Sequence, residues 1–122
     1  MANLLTQKNC LTIAYLSLLV VSAPLLISCQ DSAEGSLNTT LKMGEQVFTQ
    51  NCAVCHSQGI NGAPILGNKI MWQPRRAQSE AVLLEHAMNG YGLMPAKGGK
   101  EDLDEKSVQS AIAFMLSKLP PP

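Results

Sequence analysis

The C-terminal third of the chain carries the clearest stripe of apolar positions. Val108, Ala111, Ile112, Met115, Leu116 and Leu119 recur at i, i+3, i+4, i+7, i+8 and i+11, which is one face of an α-helix. Asp104 stands where an N-cap belongs, and Pro120-Pro121-Pro122 ends the run. A second stripe, Leu83, Leu84, Ala87 and Met88, follows Ser79 as N-cap and stops at Gly90. A third, from about Leu41 to Asn51, turns Val47 and Phe48 inward and sets Gly44 one turn before Phe48, where a missing side chain permits close approach. No segment alternates with a period of two. The pattern predicts an all-α domain with three main helices, joined by loops.

Upstream the pattern changes. An apolar run from Leu11 to Ile27 follows a single basic residue, Lys8, and is broken by Pro24. It is shorter than the roughly 20 residues that span a bilayer, so it reads as an export signal more readily than as an uncleaved anchor. The tetrapeptide Leu26-Ile27-Ser28-Cys29 resembles the lipobox of bacterial lipoproteins. That resemblance implies cleavage before Cys29 and lipid on its thiol and amine; a simple signal peptide is the plainer alternative. Gln30 to Thr40, rich in Ser, Thr, Asn and Gly, shows no apolar period and reads as a flexible tether. The expected organisation is residues 1–28 as lipoprotein signal, 29–40 as lipidated cysteine and tether, and 41–122 as the folded domain.

Composition narrows the chemistry. The chain has 9 basic and 9 acidic residues, and loss of Lys8 with the leader leaves a slight negative excess, which argues against nucleic acid as a partner. Of the 4 cysteines, Cys10 would leave with the signal and Cys29 would carry lipid. The other two stand in Cys52-Ala53-Val54-Cys55-His56. C-x-x-C-H is the attachment site of c-type haem: the thiols add to two vinyl groups and the adjoining imidazole becomes the proximal ligand. No thiol is then left for a disulfide, so the covalent haem takes the place of the staple that small exported domains usually need.

With this motif the chain resembles the class I cytochromes c, and among them the small bacterial cytochromes of the c5 kind. The carriers are Gly44-Glu45-Gln46-Val47-Phe48, the haem motif, Gly62-Ala63-Pro64-Ile65-Leu66-Gly67, Trp72-Gln73-Pro74-Arg75 and Met94-Pro95-Ala96-Lys97-Gly98-Gly99, spread over residues 41–118. The second Cys pair common in the c5 kind is missing; that stretch reads Lys100-Glu101-Asp102-Leu103.

The resemblance implies a small class I cytochrome c fold wrapped around one haem c, with His56 and Met94 as iron ligands. It also implies that the Pro64 carbonyl accepts a hydrogen bond from His56. Trp72 and Arg75 match positions that approach the haem propionates, against plain core packing for Trp72 and a solvated cation for Arg75. Met43, Met71, Met88 and Met115 are rival thioethers, and His86 a rival imidazole that reads as a packing or surface residue. The resemblance further implies a crossing of the first and last helices, with Gly44 and Phe48 facing Ala111 and Phe114.

The expected function is one-electron transfer outside the cytoplasmic membrane, with no substrate transformed. The protein is expected to be a monomer, anchored through acylated Cys29 facing the periplasm or extracytoplasmic side, with transient redox protein donors and acceptors. Lys97, Lys100 and Lys106 interleave with Glu101, Asp102, Asp104 and Glu105, so the partner's charge is not legible. A haem sensor or peroxidase-like enzyme with Met94 displaced is the runner-up. A thiol oxidoreductase lacks the βαβ pattern around C-x-x-C.

Overall fold

The computed structural model describes residues 31–121. The apolar leader and Cys29, on which the export and lipid readings rest, lie outside the described residues. The chain divides into two units, Met1–Glu34 and Gly35–Pro122; of the first, only Asp31–Glu34, the opening turn of the first helix, is described.

Helix α1 runs from Asp31–Val47 and passes without interruption into a π-helical turn, Phe48–Cys52, and a short helix α2, Ala53–His56. After a 3₁₀ turn at Ile60–Gly62 come α3 (Lys69–Arg76) and α4 (Glu80–Asn89), then a second 3₁₀ turn at Ala96–Gly99 and α5 (Glu105–Ser117). The described residues contain no strand, only an isolated bridge between Tyr91 and Met94. Three N-caps use their side chains: Asn68 Oδ1 accepts from Met71 N–H at 3.1 Å, Ser79 Oγ from Val82 N–H at 3.3 Å, and Asp104 Oδ1 from Ser107 N–H at 2.7 Å. Each occupies one of the otherwise unpaired donors of a first turn. The bonds to Ser107 hold the Asp104 carboxyl below its ordinary pKa.

Two expectations need correction. Residues 31–40 are the first half of α1, not a flexible tether. The hydroxyls that favour a loop reading bond back along the helix, Thr39 Oγ1 to the Gly35 carbonyl at 2.9 Å and Thr40 Oγ1 to that of Ser36 at 3.0 Å. This absorbs the groups that would otherwise compete with helical bonds. The second correction is α3, a helix the apolar pattern does not announce. Its eight residues include Pro74 and bury only Trp72.

The core sits where α1 and α5 cross. Phe48, Trp72, Phe114, Met115 and Leu119 are buried together, with Cys52, Ala53, Leu66 and Leu116 packed against them. The Phe48 and Phe114 rings lie 5.5 Å apart at 43°, the tilted geometry aromatic pairs prefer. Gly44 makes this approach possible, since a Cβ there would overlap the Ser110 carbonyl oxygen and lie 2.9 Å from Phe114 Cβ. Gly35, on the same helix, has open space around its would-be Cβ.

The same substitution in one helix should therefore act with opposite signs. Gly44→Ala should destabilise by roughly 1–3 kcal/mol through overpacking. Gly35→Ala should stabilise by up to about 1 kcal/mol through helix propensity. Equilibrium denaturation of the two variants checks this, and a neutral Gly35→Ala would return residues 31–40 to a tether.

Candidate haem site

The haem motif is laid out by helical geometry. On α2 and the turn before it, Cys52, Cys55 and His56 stand at i, i+3 and i+4, so they share a face. Val54 falls off that face and is 67 % exposed. The π turn closes with Ala53 N–H bonded to the Phe48 carbonyl, five residues back, and Asn51 Nδ2 donates to the Val47 carbonyl at 3.0 Å. One extra residue per turn rotates everything downstream, and single π turns recur at functional sites. Here the rotation falls between the core residue Phe48 and the motif.

The loop after α2 folds back over His56. Leu66 N–H donates to the His56 carbonyl at 2.8 Å, and His56 Nδ1 donates to the Pro64 carbonyl at 3.0 Å. The imidazole is buried, only 8 % exposed. With Nδ1 engaged, Nε2 is the nitrogen left for a metal, and the hydrogen bond both orients the ring and makes it a better donor. This is the contact the resemblance implies for Pro64.

A cavity of about 550 Å³ adjoins this face, within the range of small-molecule and cofactor sites. Cys52, Cys55 and His56 line it, and so do Pro64, Trp72, Arg75, His86 and Met94. Both thiols are free and half-buried. Burial, and secondarily Cys55, pushes the Cys52 thiol above its ordinary pKa, which keeps it protonated at neutral pH.

The cavity walls suit a haem in three ways. They are mostly apolar, they present two thiols and an imidazole at the attachment spacing, and Arg75 is the one charged side chain among them. Among the described residues no group of three or more His, Cys, Asp and Glu side chains could hold a metal ion. A haem here would be held through Cys52, Cys55 and His56, which line the cavity together.

Met94 reaches the cavity from a tight turn. Tyr91 N–H donates to the Met94 carbonyl and Met94 N–H to the Tyr91 carbonyl, each at 3.0 Å. Gly90 enters this turn at φ 87°, where a Cβ would lie 3.0 Å from both Met94 O and Ala96 N. Of the rival thioethers, Met115 also lines the cavity but belongs to the buried core. Met43, Met71 and Met88 do not line it. His86 does, with its ring stacked on Tyr91.

The Trp72 indole N–H donates to the Ile65 carbonyl at 2.8 Å, so here the donor ties α3 to the loop. The ring is 5 % exposed and lies 6.4 Å from that of His56; Trp72 is a wall of the site. Arg75 bonds the Met71 carbonyl through Nη1 at 2.6 Å and lines the cavity, with further N–H donors on its guanidinium.

Comparison with known proteins places the chain among c-type cytochromes. A family model described as cytochrome c oxidase, cbb3-type, subunit III, matches residues 39–115. Cytochrome c-555 of Chlorobaculum tepidum is 35% identical over 108 residues, covering 85% of this chain and 95% of that protein. Cytochrome c5 of Ectopseudomonas mendocina is 28% identical over 76 residues, 61% of this chain and 87% of its own length. A chain in the crystal structure of an electron transfer complex of nitrite reductase with cytochrome c superposes with a TM-score of 0.60 at 38% identity, covering 62% of this chain and 93% of that one.

Trp72→Phe separates the two roles of the indole. Removing the N–H takes from the Ile65 carbonyl one of its two hydrogen bonds, the other coming from Asn68 N–H, and stability should fall by about 0.5–1.5 kcal/mol, while the midpoint potential should change little. A shifted potential with unchanged stability would return the indole to the propionates. Denaturation and redox titration of one sample decide between them.

Proposed function

Because the chain belongs to the small class I c-type cytochromes, electron-transfer proteins with one covalent haem c, we propose that its iron is held between His56 and Met94. The function is one-electron transfer, and no substrate is transformed. The observation that carries the ligand assignment is a single cavity whose walls include Cys52, Cys55 and His56 from one helix face and Met94 from a separate turn.

The bound haem supplies an iron that cycles between Fe(III) and Fe(II). The chain does the rest. Cys52 and Cys55 fix the cofactor covalently, and His56 Nε2 offers a lone pair strengthened by the Nδ1 bond to Pro64. The Met94 thioether is a soft, neutral donor that favours the reduced state and raises the potential. Arg75 offers its remaining N–H groups to the propionates.

A redox protein is the class of partner this reading requires, as nitrite reductase is for the structurally similar cytochrome c. Ile60, Tyr91 and Leu93 stand exposed among the cavity-lining residues, and only Arg75 there is charged. Such a rim favours brief apolar contact over long-range charge steering. The lipobox-like Leu26-Ile27-Ser28-Cys29 supports export and anchoring through acylated Cys29. No described helix is long and apolar enough to cross a membrane.

Two variants test the reading. Met94→Ala should abolish the ferric thioether–iron band in the far red and lower the midpoint potential on the order of 0.1 V, inside the ~0.8 V that axial ligands span. An intact band would move the ligand elsewhere. Cys29→Ala should release the protein from membranes or leave an unprocessed precursor, and normal processing with unchanged membrane association would exclude the lipid anchor.

A further inference from the structure

We propose that His86 is a positioning residue for the methionine ligand, acting through its stack on Tyr91 to hold the Met94 turn closed. The proposal rests on the His56/Met94 reading.

The His86 and Tyr91 ring centroids are 4.1 Å apart and their planes 24° from parallel. His86 belongs to α4, an N-capped helix that packs on α5 and carries the buried Ala87. Tyr91 is outside the helix and 59 % exposed. Its backbone is bonded to Met94 in both directions, so Tyr91 and Met94 move as one piece.

That piece is bounded by freedom. Gly90 and Gly92, at φ 87° and 60°, flank Tyr91, and glycine is the residue that swivels most readily. Beyond Met94, the 3₁₀ turn Ala96–Gly99 packs on α4 and secures the far end. At the near end the His86 stack ties the turn's side chain to the helix. An imidazole suits the task because it is flat and rigid enough to stack, while the ring stays half-buried in the cavity wall.

The stack thus sets how often the turn opens and frees the iron's Met94 side. An added ligand reads that directly, because its apparent affinity scales with the open fraction. The probe is imidazole titrated into the ferric holoprotein, followed by loss of the far-red thioether band.

His86→Ala should tighten apparent imidazole binding up to about tenfold, the upper range of what an aromatic pair contributes. His86→Phe, which stacks but cannot ligate iron, should restore wild-type affinity. Tyr91→Ala should match His86→Ala, and the double variant should add nothing to either; with an exposed ring removed, Tyr91→Ala also covers the case in which His86→Ala fails to fold.

Unchanged imidazole affinity in His86→Ala and Tyr91→Ala overturns the proposal. So does His86→Phe behaving like His86→Ala, since the imidazole's own chemistry and not the stack would then matter. A wild-type protein without the band would instead defeat the His56/Met94 reading, and this proposal with it, before any substitution is made.

Discussion

His56 is held from two sides of its residue, and the rest of the domain is arranged around that constraint. Its backbone carbonyl accepts from Leu66 and its Nδ1 donates to Pro64, so the loop that closes over the ring is fixed to the helix that carries it. Free rotation of a buried imidazole would scatter the lone pair that must meet one metal. The double attachment turns a flexible side chain into a fixed donor. Trp72 holds the same loop by bonding the Ile65 carbonyl, so a core side chain on α3 braces the residue next to Pro64, whose carbonyl holds the histidine.

The second constraint is volume. A domain of this length has little interior of its own, and the buried hydrophobic set is short, with no large side chain wholly out of solvent among the described residues. A cavity of about 550 Å³ occupies the place where further core would otherwise be. The crossing of α1 and α5 closes one side of the domain through Gly44, Phe48 and Phe114. The motif, the loops and α4 close the cavity. The fold is complete as a hydrophobic structure only when that volume is filled, which couples holding the cofactor to keeping the shape.

Much of this was legible in the residues. The last helix and α4 announce themselves by a regular stripe bounded by Asp104, Ser79 and Gly90, and all three act at those helix ends. The motif is legible because C-x-x-C-H pairs two thiols with an adjoining imidazole; that it lies along a helix face is a structural finding. What escaped has physical reasons. α3 buries one residue and contains Pro74, so it leaves no stripe, although Asn68 at its N-cap was a readable start signal. The first half of α1 is polar, and only the back-bonded threonines reveal how a loop-like composition is accommodated. The indole partner of Trp72 and the His86–Tyr91 stack are tertiary facts, set by how a loop or a glycine turn folds back, and no local pattern encodes them.

The central claim is that one haem is joined covalently to the helix face at Cys52–His56. The most direct test is the mass of the protein, expressed with haem-attachment machinery, measured under denaturing conditions and again after proteolysis. The account predicts a mass increased by one haem that survives unfolding, located on the peptide that spans Cys52 and Cys55. A stably folded protein with the mass of the bare chain, or a haem that dissociates on denaturation, would contradict it.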